Sequence, residues 1–251
     1  MVDYSVYVYG VSPKTGRELP SVHGVEDGEL HGVEHGGLLA LTSRLRRPRL
    51  AARDLRAHWR VLEQAFEHAT VLPVRFGTVM ESEDDVRERL LEPNAEQLSA
   101  LLEQMNGLVQ LNVKGRYDED ALLRQIVQQT PAIAELRERL AGRPAEAAPA
   151  EQFRLGQMVE GAVAAHRERD TALALEALQP SALSVRAEEA AHPAAFDLAF
   201  LVERSAEAGF NEAVHGLREQ LAPRIELRYV GPLPPFSFAQ ADLSSGGEAW
   251  A

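Results

Sequence analysis

The tetrapeptide His-Gly-Val-Glu occurs twice, at residues 23–26 and 31–34, and a third histidine follows at 35. His23, His31 and His35 with Glu26 and Glu34 are the side-chain types that hold a transition metal. In a hairpin, cross-strand neighbours would bring two of them within reach of each other. Against this, no helical His-Glu-x-x-His spacing occurs, and a glycine beside each histidine leaves such a site poorly held. Solvated hairpin rims account for the same residues. A metal-assisted enzyme built on these histidines is therefore only the alternative reading, beside a small-ligand binding protein using a cleft between domains. Two acidic clusters, at 82–86 and 117–121, stand where helices begin, and there acids complement the helix dipole without any catalytic role. No nucleophile elbow, phosphate-binding loop or dinucleotide loop is present, and the chain has no cysteine. No catalytic or cofactor-binding residue and no cofactor is assigned.

Two further segments carry recognition chemistry rather than catalysis. In Leu-Pro-Val-Arg-Phe-Gly-Thr, residues 72–78, Arg75 lies between Val74 and Phe76. Read as a strand, this places its guanidinium near the core and predicts a structural ion pair, with anion or backbone recognition as the other option. In Gly-Pro-Leu-Pro-Pro-Phe-Ser-Phe, residues 231–238, three prolines can neither extend a central strand nor enter a helix. The segment must leave in an extended path. Leu233, Phe236 and Phe238 then either cover apolar surface between the domains or meet a partner. Residues 239–251 lack a core-forming pattern and read as a mobile tail, with Trp250 their one large apolar group.

The elements that must position these residues follow from periodicity. Residues 3–11 alternate as a strand, with Ser5, Tyr7 and Tyr9 on one face. The histidine segment reads as an antiparallel meander turned at Asp27-Gly28 and Gly36-Gly37. A helix from about Asp54 to His68 carries Leu55, Trp59, Leu62 and Phe66 as one stripe. A strand over 70–80, helices opened by Ser82 and Asn94, and a strand over 107–117 complete an N-terminal α+β unit. Helices capped by Asp118 and Thr130 follow. A long helix from about Gln152, two strands, a helix opened by Ser205 and a last strand over 224–231 predict a ferredoxin-like half. The fold class expected is α+β with two domains, antiparallel sheets covered by helices on one face. The N-terminal domain takes residues 1–140 and the Ala/Pro/Glu-rich linker 141–151. The second domain takes 152–238, and the extended tail 239–251.

Composition narrows the function classes. The 251 residues are 45% hydrophobic and 25% charged, a globular profile. With 38 acids against 26 bases the formal net charge is −12, the wrong sign for nucleic acid and for an anionic lipid membrane. No apolar run reaches membrane-spanning length, and the first residues begin a strand rather than a signal peptide, which predicts a cytoplasmic protein.

Taken in order, Tyr-Val-Tyr-Gly-Val near the start, the helix running into Leu-Pro-Val-Arg-Phe-Gly-Thr, Lys-Gly-Arg-Tyr-Asp-Glu-Asp-Ala-Leu at 114–122 and Gly-Pro-Leu-Pro-Pro-Phe-Ser-Phe resemble the gas vesicle protein F/L family, GvpF and GvpL. The resemblance covers about residues 2–238. It implies two α+β domains with a tail packed back on the body, and no catalytic residues. It further implies an accessory or minor structural protein that engages the hydrophobic shell protein GvpA, and other gas vesicle accessory proteins, during nucleation and assembly. Limiting aggregation of the shell protein belongs to the same implied role, as does a location in the cytoplasm and on gas vesicles.

Overall fold

The computed structural model describes residues 4–16, 18–46, 50–144, 148–188 and 193–239. It is a mixed helix and antiparallel-sheet fold, as the sequence predicts, and it divides into two units. Unit 1 comprises residues 1–110 and 232–251, and unit 2 comprises 111–231. The divisions thus fall inside two strands rather than in the Ala/Pro/Glu-rich stretch, whose last residues already open a helix of unit 2.

In unit 1, β1 (Ser5–Pro13) is central in a five-stranded sheet. It pairs antiparallel with β3 (Leu38–Leu45), which carries β2 (Leu30–His35) on its other edge. On its far side β1 pairs with two-residue strands, β4 (Leu72–Pro73) and β5 (Val79–Met80). Between them the Thr78 N–H closes a turn on the Arg75 carbonyl at 3.2 Å, so the single strand expected over 70–80 is interrupted. Arg75 accordingly lies exposed, and its carbonyl accepts from the Thr78 hydroxyl at 2.8 Å. The reading that put its guanidinium near the core is corrected on that ground.

Gly36 and Gly37, both at positive φ, close the β2–β3 hairpin as expected. Asp27-Gly28 does not close one. There a 3-10 turn (Val25–Asp27) puts Glu26 and Asp27, not Gly28, in the left-handed region at φ 56°. Glu26 is held in that conformation by its carboxylate, which accepts the Arg46 N–H at 2.8 Å.

Three helical segments complete the unit: α1 (Ala52–His68), α2 (Glu83–Asp85) continued by a π-helical stretch (Val86–Leu91), and α3 (Ala95–Gln104). Ser82 caps α2 through the Asp85 N–H at 3.1 Å. Asn94 does not cap α3; its amide turns back to the Leu90 carbonyl at 2.8 Å. The buried face of α1 is Asp54, Ala57, His58, Val61, Leu62, Ala65 and Phe66. This is rotated from the expected stripe, so Leu55 is 37% exposed and Trp59 half-buried. The rotation brings two polar groups inward, and each is satisfied: Asp54 accepts the Ala51 N–H at 2.8 Å, and His58 meets Tyr7.

Unit 2 contains a sheet of order β7-β8-β6-β9. Its strands are β6 (Leu108–Tyr117), β7 (Ser184–Ala187), β8 (Ala194–Glu203) and β9 (Ile225–Leu233). The sequence reading used β6 to close the first sheet. Instead Val109, Leu111, Val113 and Tyr117 are all buried, the pattern of an inner strand in the second. The helices are α4 (Glu119–Gln129), capped by Asp118 through the Ala121 N–H, α5 (Pro131–Leu140), α6 (Pro149–Leu178) and α7 (Glu207–Leu221). α7 buries Phe210, Val214, Leu217 and Leu221, the predicted i, i+4, i+7, i+11 set. α6 packs on β8, α7, α4 and α5. Among the described residues, no helix is long and apolar enough to cross a membrane.

Candidate functional site

The sequence candidates that the structure draws together are those of the proline-rich strap. Pro234 and Pro235 are buried, and the chain turns there, with Phe238 N–H donating to the Pro235 carbonyl at 3.0 Å. Ser237 is gripped twice by Gln110: its N–H donates to Oε1 at 2.8 Å, and its hydroxyl accepts from Nε2 at 3.2 Å. Gln110 is itself only 2% exposed, so this pairing satisfies an amide that burial would otherwise penalise. Beside it Phe236 meets the Trp59 ring edge-on at 4.3 Å between centroids, and Ala239 is buried. All of these residues belong to unit 1. Leu233 and Phe238 are half-buried in the same strap, and Trp250 lies outside the described residues. One turn before Trp59 on α1, Leu55 is 37% exposed.

Beneath the Trp59 seat lies a polar network that the sequence reading missed. The Tyr7 hydroxyl accepts the Gly77 N–H at 3.1 Å and shares a hydrogen bond with His58 Nδ1 at 3.0 Å. Burial pushes the His58 pKa down to about 4, opposed in part by a hydrogen bond to the Val74 backbone. Tyr9 stacks on His58 at 5.6 Å, and Tyr7, Trp59 and Phe76 meet it edge-on. Tyr9 bonds the Ser43 hydroxyl at 2.7 Å and accepts the Val25 N–H at 2.7 Å. Burial raises both tyrosines, so both stay protonated. Gly24 is required here, because a Cβ on it would fall 2.0 Å from the Tyr9 oxygen. The available signal was Tyr7 and Tyr9 on one face of β1, with a histidine at helical spacing from Asp54.

The histidine meander is dispersed. His31 and His35 lie along β2, and His23 is exposed on the loop before it. Among the described residues, no group of three or more His, Asp or Glu side chains converges to hold a metal. A cleft of about 300 Å³ in unit 1 is lined by Leu38, Thr70, Ser99, Leu102, Glu103 and Asn106, among others. Among the described residues of that lining, Glu103 is the one titratable group.

Unit 2 carries a second, ionic network. Asp170 on α6 accepts the Tyr117 hydroxyl at 2.7 Å and pairs with Arg224, which also donates to Gln125 Oε1 at 3.1 Å. Burial and the Asp170 carboxylate together hold the Tyr117 hydroxyl in its neutral form.

Comparison with known proteins places this architecture. Residues 5–240 match the model of the family described as "Gas vesicle synthesis protein GvpL/GvpF". The chain is 34% identical over 241 residues to gas vesicle protein F of Streptomyces sp. (strain CB03234), covering 94% of this chain and 100% of the relative. It is 26% identical to gas vesicle protein F of Dolichospermum flosaquae, covering 94% and 98%. The crystal structure of GvpF from Anabaena sp. PCC7120 superposes with a TM-score of 0.80 at 26% identity, covering 95% of this chain and 99% of that one. That of GvpF from Microcystis aeruginosa gives 0.78 at 24% identity and shares the fold. The family is named for gas vesicles and not for a catalysed reaction. With the two-unit α+β fold and the strap motif in place along nearly its full length, the chain belongs to the GvpL/GvpF family of gas vesicle synthesis proteins.

Proposed function

We propose that this protein is an accessory factor of gas vesicle assembly that binds the hydrophobic shell protein GvpA and keeps it from aggregating while a vesicle is nucleated. It acts in the cytoplasm and at the growing vesicle. The observation that carries this reading is the family match over residues 5–240. The net charge of −12 supports it, since an acidic carrier keeps a sticky partner dispersed. We place the contact at the rim of the strap's seat, where Leu55 is exposed beside the half-buried Trp59 and Phe236. Aromatic and aliphatic groups of this kind anchor many interfaces.

The test is co-expression with the small shell protein, followed by affinity capture of this chain. Soluble shell protein is recovered with the wild type. Leu55→Asp leaves the chain folded with at most a modest fall in melting temperature, because the side chain is 37% exposed, and lowers recovery several-fold. No recovery with a folded wild type overturns the binding role. Equal recovery with Leu55→Asp overturns the placement of the contact alone.

A further inference from the structure

The ionic network of unit 2 does not balance. Asp170 lies on α6 with its side chain 3% exposed and serves both Tyr117 and Arg224. Arg167 stands three residues earlier on the same helix, so its side chain neighbours that of Asp170. Its charge reaches the Tyr117 hydroxyl together with that of Arg224. Yet, among the described residues, the half-buried Arg167 makes no hydrogen bond and no ion pair, and the Nε–H groups of Arg167 and Arg224 are both enclosed without an acceptor. His166 adds no negative charge, and burial, with Arg169 and Arg224, pushes it toward its neutral form.

Two guanidinium groups therefore face one carboxylate, next to a tyrosine that stays neutral. A partly desolvated guanidinium without a counter-ion is unfavourable. In a chain with 38 acids and 26 bases, a half-buried arginine left without an acid is not explained by a shortage of carboxylates. The terminal nitrogens of Arg167 are not enclosed, unlike its Nε, so they can be reached from solvent. The side chain of Arg224 is 19% exposed and is held in place by Asp170 and Gln125. A fixed guanidinium beside an unpaired one is the arrangement that binds a planar or tetrahedral oxyanion through charge-assisted hydrogen bonds.

We propose that Arg167 and Arg224 form a binding site for an oxyanion of the carboxylate or phosphate type. The terminal nitrogens of Arg167 supply the main contact, and Arg224, oriented by Asp170 and Gln125, supplies the second charge. This is independent of how the protein meets the shell subunit.

The test is thermal unfolding of the full chain titrated with inorganic phosphate, and separately with acetate, at matched ionic strength. Phosphate raises the melting temperature of the wild type saturably. Arg167→Met weakens the apparent affinity at least tenfold, the loss of about 1.4 kcal/mol that one charge-assisted contact supplies. Arg167→Lys retains part of the response. In the absence of either anion, Arg167→Met melts at or above the wild type, because it removes a half-buried cation without a counter-ion. A saturable response to acetate as well assigns the site to carboxylates; a response to phosphate alone assigns it to phosphates. Equal, unsaturable stabilisation of wild type and Arg167→Met would be a general salt effect and overturns the site, as does no response to either anion. A clear loss of stability in Arg167→Met without added anion also overturns it, since the arginine would then have a structural partner within the chain.

Discussion

Each unit buries a tyrosine hydroxyl against a titratable group, and the two solve the problem in opposite ways. In unit 1 every member is neutral: Tyr7, Tyr9, Ser43 and a His58 held well below its ordinary pKa. In unit 2 the partner is an ionised carboxylate, neutralised by Arg224. A neutral network needs only hydrogen-bond geometry, and its weakness is protonation. An ionic network needs its counter-charge in place, and its weakness is losing one member.

The largest effect should come from breaking the ionic side. Asp170→Ala leaves Arg224 without its carboxylate and Tyr117 without its acceptor, and urea unfolding should show a loss of about 3–5 kcal/mol. A loss below about 1 kcal/mol would mean the two networks do not differ as described. Next comes acid. Because the folded pKa of His58 is about 4 against 6.5 unfolded, the unfolded chain binds the extra proton between those values. Stability from this group is complete above about pH 6.5 and falls as pH drops toward 4, by about 3 kcal/mol in all. Urea midpoints measured across this window should lose that part of their slope in His58→Gln. A slope that persists unchanged would assign the acid sensitivity elsewhere. The smallest effect marks the surface baseline for both: Glu34→Gln, which removes the exposed pair with Lys14, should change the unfolding free energy by less than about 1 kcal/mol.

The apolar skeleton was readable from periodicity because burial alone dictates it. The α7 stripe, the Gly36-Gly37 hairpin and the Asp118 cap follow from local chemistry, and each is in place. What periodicity misassigned was where polar groups enter the core. Of the α1 stripe Leu55, Trp59, Leu62 and Phe66, the last two are buried; the face turns at its start to admit Asp54 and His58, whose partners, the Ala51 N–H and Tyr7, are invisible until the chain has folded. Arg75 was placed near the core because a strand was read through residues 72–78; the strand breaks there and the residue is exposed. The strap was legible as a proline-fixed exit, but its seat was not, because Trp59 and Gln110 are far from Phe236 and Ser237 in sequence.

That strap fixes the order in which the protein can be finished. Unit 1 is built from both ends of the chain, so residues 236 and 237 leave the ribosome after the whole of unit 2. Until then the Trp59 ring lacks the cover of Phe236. Unit 1 is thus completed only after unit 2 has been synthesised, and a product truncated before the strap leaves the Trp59 ring without Phe236.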